Sequence, residues 1–116
     1  MSSKGRIYRG VRVGGPHAMH PVVWVLNESG QPEALCLRLD LVNHSPTGPE
    51  WGYLGSGPAQ LAIALLADAT GSDAYAMAMG QWFKRDIVAQ IPRERWELTQ
   101  HEVLEWANNN KVPIPR

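Results

Sequence analysis

Several groups of residues in this chain have types and spacings that could do chemistry. His44 and Ser45 lie between Asp40 and Glu50, a set from which a base, a nucleophile and an acid could be drawn for a small enzyme. Ser45 precedes Pro46, however, and no Gly-x-Ser-x-Gly elbow surrounds it. Asn43 and Ser45 fit better as residues that bond the local backbone in turns, with His44 and Glu50 helping to shape the same loop. Gly55-Ser56-Gly57 stands ahead of a helix start, where free N–H groups and the helix dipole favour an anion. Neither the phosphate-loop nor the dinucleotide glycine spacing is present, and no Lys or Arg lies nearby in sequence. His17, His20, His44 and His101 are scattered, and His17-x-x-His20 has no cysteine or helical partner. The sequence therefore predicts no catalytic residue, no metal and no cofactor.

Two further groups are aromatic or basic. Trp51 and Tyr53 flank Gly52, so in an extended segment both rings project from one side, as a core plug or as a platform for a ligand. Arg93-Glu94-Arg95-Trp96 mixes charge with an aromatic, as nucleic-acid contacts do, although the interleaved Glu94 and Glu97 fit a salt-bridged turn. Trp82 falls on a periodic apolar face and reads as core, whereas Trp106 is the tryptophan best placed for an interface. Trp51, Tyr53, Arg93, Arg95 and Trp106 are the candidate partner-binding residues.

The elements that must position them follow from periodicity. Arg6 to Val13 alternates as a strand, Gly14-Gly15-Pro16 breaks it, and residues 17–20 read as loop. Val22 to Leu26 is β-branched and aromatic, and residues 34–39 resume extended structure, so 22–39 reads as a hairpin. The stretch from Asn43 to Gln60 is dense in Gly, Pro and aromatic residues and needs unusual backbone angles. Ser56-Gly57-Pro58 then opens a helix over about 58–69 that is apolar all round, hence central and buried. A second helix, over about 72–90, is capped by Ser72-Asp73 and stopped by Pro92. Thr99 and Glu102 form a capping box for a third, over about 99–108. The expected fold is α+β: a β-hairpin or three-stranded sheet within about 6–39, packed against two or three helices. It forms a single domain, 1–116, with loose ends at 1–5 and 110–116.

Composition narrows the function classes. The chain has 116 residues, 44% of them hydrophobic, with five Trp and one cysteine. That length supports a packed core without staples, and a lone Cys36 fits a reducing cytoplasm. No apolar run reaches the roughly 20 residues of a membrane span. Net charge is zero, against strong nonspecific binding to nucleic acid. The distribution is uneven: Lys4, Arg6, Arg9 and Arg12 make residues 1–27 basic, and residues 28–83 carry six acids against Arg38. Such bipolarity suits a protein partner, or self-association, better than a DNA groove.

Asn43-His44-Ser45-Pro46-Thr47-Gly48, Glu50-Trp51-Gly52-Tyr53 and Gly55-Ser56-Gly57-Pro58-Ala59-Gln60-Leu61-Ala62 together resemble a family of small bacterial, phage and mobile-element proteins of unknown function. The resemblance extends over most of residues 6–105, with Pro49 and Leu54 departing from its usual aromatic and glycine. It implies no activity for any residue. It implies a setting, in which small accessory proteins bind and modulate host or anti-phage machinery. The expectation is a non-catalytic protein-binding module, with two alternatives. One is nucleic-acid binding through the basic N-terminal strand and the Arg93–Trp96 turn; the other is a small enzyme using His44, Ser45 and Glu50.

Overall fold

A computed structural model describes residues 5–15, 18–45 and 48–112, and every structural statement below concerns these. Strand β1 (Ile7–Gly15) pairs with β2 (Ala18–Leu26) in one long antiparallel hairpin, from Ile7 opposite Leu26 to Gly15 opposite Ala18. Strand β3 (Pro32–Ala34) follows on the far side of β2. Helices α1 (Ser56–Thr70) and α2 (Asp73–Asp86), a single 3-10 turn (Val88–Gln90), β4 (Arg95–Thr99) and α3 (Gln100–Asn109) complete the chain. The sheet order is β3-β2-β1-β4, antiparallel throughout, so the fold is α+β.

Three expectations about the strands change. The break does not come at Gly14-Gly15, because both glycines pair within β1, opposite Met19 and Ala18, and β2 starts at Ala18 inside the stretch read as loop. Pro16 and His17 themselves lie outside the described residues, as do residues 1–4, Pro46, Thr47 and 113–116. Of the expected second hairpin strand, 34–39, only Ala34 pairs with the sheet, in a strand that starts earlier at Pro32; Arg38 turns left-handed (φ 57°), which ends any extension towards Leu39. Finally, Arg95–Thr99 is a fourth strand against β1, where a salt-bridged turn was expected.

The hydrophobic effect explains the layering. The inward side chains Tyr8, Val25 and Trp96 join Leu61, Leu65, Leu66, Phe83 and Val103 in one core. α1 is buried on all sides from Gly57 to Ala67, as an all-round apolar helix requires. The α2 face packed inward is narrower than the sequence period: Ala76, Gly80 and Phe83 are buried, while Trp82 is 49% exposed under the Arg85 guanidinium. A Cβ on Gly80 would lie 2.7 Å from Ile63, so Gly80 lets α1 approach closely and pulls the buried stripe away from Trp82. α2 ends at Asp86 rather than near Gln90. The Thr99–Glu102 capping box is formed at α3. Asn110 is held by the Tyr75 hydroxyl at 2.6 Å.

Gly10 and Trp96 face each other across β1 and β4, and the indole lies over the glycine. A Cβ there would sit 2.2 Å from Trp96 Nε1. Gly10→Ala therefore should lower stability by about 1–3 kcal/mol through overpacking. Gly15→Ala, with nothing within 4 Å of its Cβ position, should cost nothing. Urea-unfolding midpoints of the two variants check this; equal midpoints would show that the indole yields.

Candidate functional site

The loop between β3 and α1 is held by one cation. The Arg12 guanidinium, carried on the inward face of β1, donates to Glu50 Oε2 at 3.1 Å and Oε1 at 2.6 Å. Its Nε donates to the Arg93 carbonyl at 2.9 Å, and its plane lies 4.7 Å from the Trp51 ring centre. The Arg12–Glu50 hydrogen bonds lower the Glu50 carboxyl from its ordinary value and raise Arg12 above its own. Glu50 is thus a fixed anion, engaged by Arg12. Ser45 donates from Oγ to the Gly48 carbonyl at 2.9 Å, and the His44 N–H donates to Gln60 Oε1 at 2.8 Å. Gln60 is fully buried on α1 and also donates to the Leu37 carbonyl, so it pins both ends of the 37–44 segment.

The glycines of the candidate anion loop serve packing. A Cβ on Gly55 would meet the Tyr53 ring at 2.6 Å, and one on Gly57 would meet Glu50 Cβ at 2.6 Å. The close approach that a phosphate would need is already taken by the chain's own side chains, around Ser56.

Of the five partner-binding candidates, the structure brings Trp51 against the Arg93 backbone but does not gather them into one exposed surface. Trp51 is fully buried, edge-on to Trp96 at 5.7 Å, with its N–H bonded to the Arg93 carbonyl at 2.9 Å. It is a core plug, not a contact surface. Gly52 (φ 84°) turns the backbone between Trp51 and Tyr53, so the two rings part and Tyr53 is 42% exposed. Trp106 is half-buried on α3, edge-on to Phe83 at 5.0 Å and bonded to Asp86 at 3.0 Å. Arg93 and Arg95 are exposed, and neither side chain makes an ion pair among the described residues.

The basic N-terminal strand is internally neutralised. Arg6 is bidentate to Asp68 at 2.8 and 3.1 Å and also meets Glu28 and Glu33. The buried Tyr8 hydroxyl donates to Asp68 at 2.7 Å, and burial together with that bond raises it above its ordinary range. Arg9 pairs with Glu97 at 2.8 Å. With Arg12 on Glu50, all three arginines of β1 and its approach are engaged. Trp96 is buried and unavailable for base stacking.

What the sequence reading missed is the outer face of the sheet. Ile7, Arg9, Val11 and Val13 of β1 point away from the helices, beside Val22, Trp24 and Leu26 of β2 and Arg95 and Glu97 of β4. None of its apolar members joins the core, and Val13 and Val22 are 46% and 39% exposed. A cavity of about 460 Å³ on this face is lined by Arg9, Val11, Trp24, Arg95 and Glu97 with the backbone beneath them. The signal available was the alternation Val11-x-Val13 and Val22-x-Trp24, apolar on the side that the helices do not need. Among the described residues no group of three His, Cys, Asp or Glu could hold a metal, and no helix is long and apolar enough to cross a membrane.

A family model described as a family of unknown function (DUF6166) matches residues 8–109. No curated protein and no solved structure matches this chain.

The Arg12–Glu50 pair makes stability pH-dependent with a definite sign. Because the folded-state value of Glu50 lies below its unfolded value of about 4.3, its contribution is complete above that value and is lost as pH falls through the lower, folded one. Glu50→Gln should cost about 2 kcal/mol at pH 7, as for hydrogen bonds to charged groups. That difference from the wild type should shrink below about pH 4. Chemical unfolding of both proteins from pH 3 to pH 7 tests it, and a gap independent of pH would refute the assignment.

Proposed function

This chain belongs to the DUF6166 family of unknown function, a membership that assigns it no activity, and we propose that it is a non-catalytic binding module for a protein partner. The observation that carries the reading is the uncovered outer face of the sheet. An apolar strip of Val11, Val13, Val22 and Trp24 bordered by Arg9, Arg95 and Glu97 has the make-up of a recognition surface: an aromatic anchor, aliphatic neighbours and a charged rim. The helix-side chemistry supports the same reading from the negative side, since Glu50 is committed to Arg12 and Ser45 to a turn.

The resemblance over Asn43–Ala62 supports the finer reading of a phage or mobile-element accessory protein that modulates a host or defence system in the cytoplasm. Nucleic-acid binding is the weaker alternative, because Arg6, Arg9 and Arg12 are engaged by carboxylates and Trp96 is covered. The small-enzyme alternative is weaker still, because Glu50 is held by Arg12 and the Ser45 Oγ donates to the Gly48 carbonyl.

Affinity capture from lysate, with and without nuclease, should be run with wild type, Val22→Asp and Trp24→Ala. A partner that survives nuclease and is weakened at least about tenfold by both substitutions fits the loss of a central contact. Each substitution at these half-exposed strand positions should cost about 1 kcal/mol of stability or less. A partner captured equally by all three would move the site off this face. Capture abolished by nuclease would favour nucleic acid.

A further inference from the structure

The two edges of the sheet are built differently. β3 is three residues long, begins with Pro32 and turns Glu33 inward to Arg6, all devices that discourage a further strand. β4 has five residues with no proline, no glycine and no bulge. The Arg12 N–H bonds the Glu94 carbonyl at 3.1 Å and the Gln100 N–H bonds the Arg6 carbonyl at 2.8 Å. These two bonds fix the parity of the ladder. Trp96 and Leu98 direct their backbone groups to β1, and Arg95, Glu97 and Thr99 direct theirs outward. The Thr99 N–H is taken by Glu102 Oε1 at 3.0 Å. The N–H and C=O groups of Arg95 and Glu97 have no partner among the described residues.

From this edge we infer that β4 pairs antiparallel with β4 of a second copy of the chain, about a two-fold axis through Trp96. In that register Arg95 lies opposite Glu97 of the second copy, and Glu97 opposite Arg95 of the second copy. Both are hydrogen-bonded pairs, which is the arrangement that the outward backbone groups of 95 and 97 require. Charge complementarity selects the register. Among the described residues Arg95 has no ion-pair partner, while Glu97 already holds Arg9 at 2.8 Å and its side chain is about half exposed. Each outer-face row then runs Trp24, Arg9, Glu97, Arg95 of the second copy, with opposite charges adjacent. A shift of the axis by one residue keeps the backbone parity but sets Glu97 opposite Glu97 of the second copy, or Arg95 opposite Arg95, so like charges oppose such shifts. The sheet becomes continuous across both copies, and this inference stands independently of any partner on the outer face.

Two measurements test it. In sedimentation equilibrium the wild type should run as a dimer of twice 12.9 kDa. Amide exchange by NMR should show Arg95 and Glu97 protected by at least about tenfold relative to a dilute sample, as for amides that become hydrogen-bonded. Arg95→Pro removes an N–H that β1 does not use, so it should keep the circular dichroism spectrum of the wild type and sediment as a monomer. A wild-type monomer with fast exchange at both amides overturns the inference, as does a dimer that persists in folded Arg95→Pro. If Arg95→Pro fails to fold, the exchange pattern of the wild type decides alone.

Discussion

The structure depends on what happens to the charge of Arg12. Its side chain is only 12% exposed, and a guanidinium removed from water that far must recover its hydration from fixed partners. It does so from three separate places at once: both oxygens of Glu50, the carbonyl of Arg93 and the face of Trp51. Those groups come from the long loop and from the turn that leads into β4. One cation on β1 therefore joins segments about 40 and 80 residues away. The same Arg93 carbonyl accepts the Trp51 indole N–H, so the plug and its clasp share an anchor. Removing the cation would leave the largely buried Glu50 with the Trp51 N–H in place of its charged partner, which is the costly half of breaking such a pair.

This clasp explains why the loop before α1 is so rich in glycine, proline and aromatic residues. The helix it precedes is apolar on every side and must be covered on every side. The sheet covers one flank, α2 and α3 cover others, and Trp51 closes the end against Trp96. Gln60 completes the closure from within the helix. Its amide, fully buried, satisfies the Leu37 carbonyl and the His44 N–H, two backbone groups that could not otherwise be buried without loss. The residues that look most like a ligand loop are a lid for the core.

Which features could be read from the sequence follows from how local their causes are. α1 was legible because an unbroken apolar run after Ser56-Gly57-Pro58 has few alternatives, and the Thr99–Glu102 box was legible because both partners lie within one turn. β4 was not: its alternation, Trp96 and Leu98 against Arg95 and Glu97, is clear only once β1 is known to lie beside it, and its pairing with Arg9 spans 88 residues. Trp82 misled for a related reason. Helical periodicity marks a stripe, but Gly80 decides which part of the stripe touches α1, and that contact is set by Ile63 in another helix. At Trp51 and Tyr53 the alternation argument assumed an extended backbone that Gly52 does not have.

The charge pattern of the chain is resolved in the same non-local way. A basic N-terminal segment and an acidic middle segment look, in one dimension, like two faces offered to partners. In three dimensions they are largely partners of each other: Arg6 meets Asp68, Glu28 and Glu33, Arg12 meets Glu50, and Arg38 meets Asp73 and Asp40. Folding consumes the asymmetry, and little long-range field is left to steer a ligand. Recognition by such a molecule has to rest on short-range fit, through apolar area, backbone hydrogen bonds and a few charges matched at contact distance. The surface with those properties is the outer sheet face and its β4 edge, where Arg9 pairs with Glu97 and Arg95, beside Val11, has no counter-ion among the described residues.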